Sequence, residues 1–246
     1  MKQVLIRQGK AIVEEVPAPV LAPNLVLVEN LYSFISTGTE MASIEGTSQS
    51  PFIRIFKDPT LIAMGFQAVK SMGLKRTLTM AMGQGAIGYP TGYSCSGIIT
   101  DVGYEIKDLR PGMKVACGGA GYANHAEVVA VPKNLAIPVP DGLDMADASS
   151  VAVGGIALQG IRQANPQIGE VFLVIGLGLI GQITVQMLKT CGCKVIGTDL
   201  NEFRTDIAEE SGMDLGLTLT EHDVVQSVNN FTGGKGVDGV IIAASA

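Results

Sequence analysis

The chain has 246 residues and a formal net charge of −6, room for one large or two modest domains. Hydrophobic residues make up 47% and charged residues 16%, a balance that argues against disorder. The acidic excess argues against nucleic acid, whose phosphates need clustered Lys and Arg, but it allows an anionic cofactor held by local backbone N–H groups.

Residues 1–45 read as β-rich. Val4-Leu5-Ile6 and Val26-Leu27-Val28 are short apolar runs, with Pro17, Pro19 and Pro23 between them as turn signals. Over 58–82 the pattern turns helical. Asp58-Pro59 suits an N-cap followed by proline at the first helical position. Leu61, Met64, Ala68, Val69 and Met72 then recur at helical spacing until Gly73, and a second helical stretch runs over 75–82. This insert reads either as a cover over the β domain or as a lid over a substrate cleft. Lys70, Lys75 and Arg76 interrupt its apolar character, which argues against a membrane span. The first fifteen residues, MKQVLIRQGKAIVEE, lack the apolar core of a signal peptide.

Residues 88–140 return to β signals. Gly97-Ile98-Ile99, Lys114-Val115-Ala116 and 126–131 are strand candidates, punctuated by Gly103, Pro111-Gly112 and Gly118-Gly119. The four cysteines, Cys95, Cys117, Cys191 and Cys193, form no C-x-x-C pair, and Cys191-Gly192-Cys193 is too tight for a zinc knuckle. A reduced, cytoplasmic chain is the simplest expectation.

From 149 onward, strands and helices alternate. Residues 170–175 end in VFLVI, a continuous apolar run suited to a parallel strand buried on both faces. The following helix carries Ile180, Ile183, Thr184, Met187 and Leu188 on one face. A strand at 194–197, a helix at 201–211, a strand at 215–219, a helix at 221–231 and a strand at 237–244 complete the pattern. The order predicts an α/β chain: a β-rich first domain over 1–148, then a doubly wound parallel sheet over 149–246.

Gly176-Leu177-Gly178-Leu179-Ile180-Gly181 directly follows the buried strand and opens a periodic helix. In such a G-x-G-x-x-G turn, Gly176 allows the tight turn, Gly178 the close approach of a pyrophosphate, and Gly181 the packing of helix on strand. The helix head, at Leu179 and Ile180, offers unpaired N–H groups and partial positive charge to the phosphates. Asp199 ends the second strand, 23 residues after Gly176. A carboxylate there accepts hydrogen bonds from the adenosine ribose hydroxyls and repels a 2′-phosphate, which predicts NAD rather than NADP.

With these residues in view, the chain resembles the N-terminal part of a medium-chain dehydrogenase/reductase, the alcohol dehydrogenase superfamily. The likeness rests on GYSCSGIITDVG at 92–103, PGMKV at 111–115, the 126–132 segment and the glycine motif. It implies a GroES-like β domain that holds a small-molecule substrate, followed by a Rossmann domain. STGTE at 36–40, GYS at 92–94 and the 58–82 insert resemble a subset in which this module precedes a half similar to glucose–fructose oxidoreductases. The resemblance also implies that Asp199 and Arg204 hold the adenosine ribose and that Ala243 and Ala244 line the adenine pocket; Arg204 also reads as an ordinary surface helix charge. In this family two more strands would follow the fourth. An edge left open there would invite association into a homo-oligomer.

The departures from the family bear on chemistry. Zinc-dependent members carry Cys, then Gly-His-Glu, then a further Cys or Glu. Here those positions read Ser36, Gly92-Tyr93-Ser94 and the ligand-free SSVAVGG at 149–155. Hydroxyls are poor zinc ligands beside Cys, His and carboxylate. The structural-zinc lobe with its four cysteines is missing too, so no zinc is expected. A hydroxyl must then do what zinc does for the substrate oxygen. Tyr93 is the candidate proton donor, with Ser36, Thr39 and Glu40 in the same aligned site. Each has a plainer reading, Tyr93 as an amphipathic wall and the others as turn caps. His125 and His222 read as structural, and Cys95 as core. The functional expectation is a zinc-independent, NAD-linked oxidoreductase acting on a hydroxyl or carbonyl of a sugar or nucleotide sugar. A non-catalytic nucleotide-binding module and a quinone reductase are the alternatives.

Overall fold

A computed structural model of the chain describes residues 1–38, 40–41, 88–221 and 223–244. The helical insert expected at 58–82, Thr39 and His222 lie outside them. The chain divides into two compact units, Met1–Ala152 and Val153–Ala246.

The first unit is antiparallel. β1 (Lys2–Arg7) pairs with β2 (Lys10–Glu15) on one side and β4 (Tyr89–Pro90) on the other. A second, five-stranded sheet has the order β7-β3-β5-β6-β8. Its members are β3 (Leu25–Ser33), β5 (Ser94–Val102), β6 (Lys114–Gly118), β7 (Val128–Pro132) and β8 (Ala136–Pro138). Val26, Val28, Ile99, Val115, Val129 and Val131 alternate inward along these strands and form the core. Removing such side chains from water drives this sheet together. β2 escapes the sequence reading because KAIVEE is short and its hairpin turns at Gln8-Gly9 rather than at the stronger Asn-Gly or Asp-Gly signal.

Helix α1 (Met145–Ala148) starts at Asp144, whose carboxylate accepts the Ala146 N–H at 2.6 Å. It is tied to β5 by the buried Ser96 hydroxyl, which donates to the Met145 carbonyl. Cys95 and Cys117 face each other across β5 and β6. The hydrogen bond to Cys95, with burial added, pushes the Cys117 thiol up, so the pair packs as inert small side chains.

The second unit opens within α2 (Val151–Ala164) and is a parallel sheet of order β11-β10-β9-β12. The strands are β9 (Val171–Ile175), β10 (Lys194–Asp199), β11 (Leu215–Thr218) and β12 (Gly239–Ile242), connected by α3 (Leu179–Thr190), α4 (Glu202–Glu210) and α5 (Val224–Thr232). Successive residues feed opposite faces. Phe172, Val174 and Val195 pack with Val185, Leu188 and Ala208 on one side. Leu173, Ile196 and Leu217 pack with Val228 on the other. That two-sided burial is why β9 reads as an unbroken apolar run. Among the described residues, no helix is long and apolar enough to cross a membrane.

Candidate dinucleotide and catalytic sites

In the second unit, β9 delivers the chain to Gly176, whose φ of 90° favours glycine. Its N–H donates to the Thr198 carbonyl at 2.8 Å. A Cβ on Gly181 would sit 2.0 Å from the Gly176 carbonyl oxygen, so the loop lies directly against the helix it precedes. Gly178 differs from both. It is the N-cap of α3, without a side-chain cap, and a Cβ there would meet nothing within 4 Å. The head of α3 is therefore an open cradle of first-turn N–H groups, with Leu179 exposed and Ile180 half-buried.

Asp199 is the last residue of β10 and only 7% exposed. Its Oδ2 accepts the Leu177 N–H of the glycine loop at 2.8 Å, and its Oδ1 accepts the Asn201 N–H at 3.0 Å. Arg204 Nη1 stands 3.5 Å from Oδ2. Burial pushes the carboxyl up, but the Asn201 and Leu177 N–H bonds and the Arg204 charge outweigh it and hold the group below its ordinary value. The group is a carboxylate at neutral pH, with acceptor capacity left for a sugar diol.

Ala243 donates its N–H to the Ile175 carbonyl at 2.8 Å. Ala244 lies 2.8 Å from where a Gly176 Cβ would be, and the Ala243 Cβ 3.7 Å from that of Gly181. Both alanines thus lie beside the glycine turn, where larger side chains would crowd it. Gln182 was not singled out in the sequence. Its amide donates to the Leu177 carbonyl at 3.0 Å and the Arg204 carbonyl at 2.8 Å, tying the loop to α4. The available signal was a lone polar residue one turn after Gly178.

In the first unit, Ser36 and Glu40 are joined by a helical turn. The Glu40 N–H donates to the Ser36 carbonyl at 3.0 Å, and Glu40 Oε1 accepts the Ser36 N–H at 3.3 Å. The same Oε1 is 3.0 Å from His125 Nε2, while His125 Nδ1 is 2.9 Å from Ser33 Oγ. His125 is 8% exposed. Its N–H donates to the Thr91 carbonyl at 2.8 Å, two residues before Tyr93. Tyr93 is half-buried, and its carbonyl accepts the Gly119 N–H at 2.8 Å. Sequence reasoning left Ser33 out and read His125 as structural, because the two lie 92 positions apart.

Ser36, Tyr93 and Ser94 offer a divalent zinc only hydroxyl donors. The Ser94 hydroxyl donates to the Ser149 carbonyl at 2.6 Å and accepts the Ala152 N–H at 3.0 Å. Ser36 and Tyr93 supply neither thiolate nor imidazole. Among the described residues, no three His, Cys, Asp or Glu side chains are grouped to hold a metal.

Residues 180–246 match the zinc-binding dehydrogenase family. The D-guloside 3-dehydrogenase of Escherichia coli (strain K12) is 33% identical over 146 residues, which span 59% of this chain and 41% of that enzyme. The chain thus spans less than half the length of this curated relative. Among solved structures, the alcohol dehydrogenase TADH from Thermus sp. ATN1 shares the fold over 100% of this chain and 71% of its own, with a TM-score of 0.77 and 20% identity. An Escherichia coli quinone oxidoreductase complexed with NADPH matches 96% of this chain and 64% of its own, with a TM-score of 0.72 and 18% identity. The likeness to these solved structures is one of fold, a β-rich unit followed by a Rossmann sheet.

Proposed function

We propose that this chain carries the cofactor and substrate modules of a zinc-independent, NAD-linked oxidoreductase that interconverts a sugar hydroxyl and its ketone. The observation that carries the reading is the ionised, loop-bonded Asp199 at a strand tip beside the uncapped head of α3. The N–H groups there hold a pyrophosphate, and Asp199 grips the ribose diol and repels a 2′-phosphate. A bound nicotinamide dinucleotide supplies hydride transfer. Tyr93 exchanges a proton with the substrate oxygen, the task zinc performs elsewhere. Ser36, Thr39 and Glu40 supply the polar wall around that oxygen. The sugar class is supported by the name of the D-guloside 3-dehydrogenase relative.

Calorimetry with NADH and NADPH tests the cofactor. NADH binds at least about tenfold tighter, a difference of about 1.4 kcal/mol, and Asp199→Ser shrinks that gap. Equal affinities in the native chain would refute NAD preference. Oxidation of a D-guloside with NAD tests the reaction: NADH binding without turnover would favour a non-catalytic nucleotide module, and NADPH-driven quinone reduction a quinone reductase. About one zinc per chain, stable to dialysis, would overturn the metal-free reading.

A further inference from the structure

Two separate segments of the first unit carry the candidate substrate residues, 33–40 and 91–93, and one side chain from a third segment touches both. His125 meets Ser33 through Nδ1 at 2.9 Å and Glu40 through Nε2 at 3.0 Å. Glu40 in turn accepts the Ser36 N–H. A carboxylate only accepts, so Nε2 carries hydrogen and donates to Glu40, while Nδ1 faces the Ser33 hydroxyl.

The 91–93 segment is seated on the same ring. Gly92 has a φ of 93°. A Cβ there would lie 2.7 Å from His125 N and 2.9 Å from both Cγ and Nδ1. The Gly92-Tyr93 turn therefore rests directly on the imidazole, and only glycine permits both the approach and the backbone angle. The Thr91 carbonyl, accepting the His125 N–H at 2.8 Å, closes the arrangement. Buried polar groups satisfied on every side specify one geometry, while a half-satisfied network does not.

We infer that His125 is the positioning residue of the substrate site, fixing the Tyr93 turn against the Ser36–Glu40 turn. The inference rests on the oxidoreductase reading for its consequence in turnover, but its geometry can be tested apart from it. Tyr93 is one of five tyrosines, so 3-fluorotyrosine labelling gives a 19F resonance assignable by Tyr93→Phe. In His125→Ala the Tyr93 resonance shifts or broadens while that of Tyr104 stays in place. His125→Gln, which restores an N–H toward Glu40, returns it part of the way.

In turnover of a D-guloside, His125→Ala lowers kcat more than tenfold and leaves KM for NAD within twofold. Val129→Ala, a cavity in the buried core of the same unit, serves as the stability control: it lowers Tm without moving the Tyr93 resonance or kcat. A Tyr93 resonance unmoved in folded His125→Ala, or in His125→Gln if the alanine variant does not fold, overturns the inference. So does an equal shift in Val129→Ala. If the native chain binds NADH but never oxidises the sugar, the oxidoreductase reading fails alone, and the resonance still decides the role of His125.

Discussion

The two units reach a site by different routes. In the second, every group that contacts the proposed dinucleotide lies on one βαβ unit and its neighbours, so a 24-residue window from Gly176 to Asp199 announces it. In the first, Ser33, Glu40, Thr91 and His125 converge only because β3 pairs with β5 and β7 while β1 receives His125 and Tyr89. Local sequence therefore writes the proposed cofactor site openly and scatters the proposed substrate site.

Tyr93→Phe probes the scattered side and carries the largest expected effect. It lowers kcat by about 10²- to 10⁴-fold, the usual worth of a positioned acid or base, with NADH affinity within twofold by calorimetry. Unchanged turnover would reduce Tyr93 to a wall residue and leave only the second unit with an assigned role.

The glycine turn sharpens the contrast within the cofactor side. Gly181→Ala forces a Cβ against backbone 2.0 Å away and costs about 1–3 kcal/mol of stability in denaturant unfolding, as overpacking does. Gly178→Ala faces open space and leaves Tm nearly unchanged, yet weakens NADH binding at least about tenfold by blocking the close approach of the pyrophosphate. Equal losses of stability in the two variants would show that the loop's openness is not functional.

The smallest effect is electrostatic. The Asp199 carboxyl is held below its ordinary value, so its contribution to stability is present above the unfolded-state value and is lost as pH falls through the folded one. The gap in unfolding free energy between the native chain and Asp199→Asn is expected to be constant near neutrality and to close in acid. A gap that widens in acid would mean that the carboxyl is not bonded as described.

Read from residues alone, the parallel order of the second unit, its glycine turn and the acid at the tip of β10 were all legible. Each depends on near-neighbour patterns: two-sided apolar runs, helical spacing and glycine where the backbone must turn. Strand ends shifted by a few residues. β10 runs past the apolar stretch at 194–197 to Asp199, the strand tip expected for that acid, because Thr198 and Asp199 continue its pairing with β11. β12 stops at Ile242, and Ala243 and Ala244 turn onto the glycine loop instead of extending it.

What sequence could not state was His125. Read by itself it was one structural histidine in a chain with only two, far in number from any partner. The pairing of β-strands from distant parts of the chain brings its ring to Ser33 and Glu40 and lays Gly92 across it. Antiparallel sheets join residues by register rather than by proximity in the chain, so the glycine turn proposed to hold a dinucleotide is legible in a short window of residues, while the neighbours of His125 emerge only when distant strands pair.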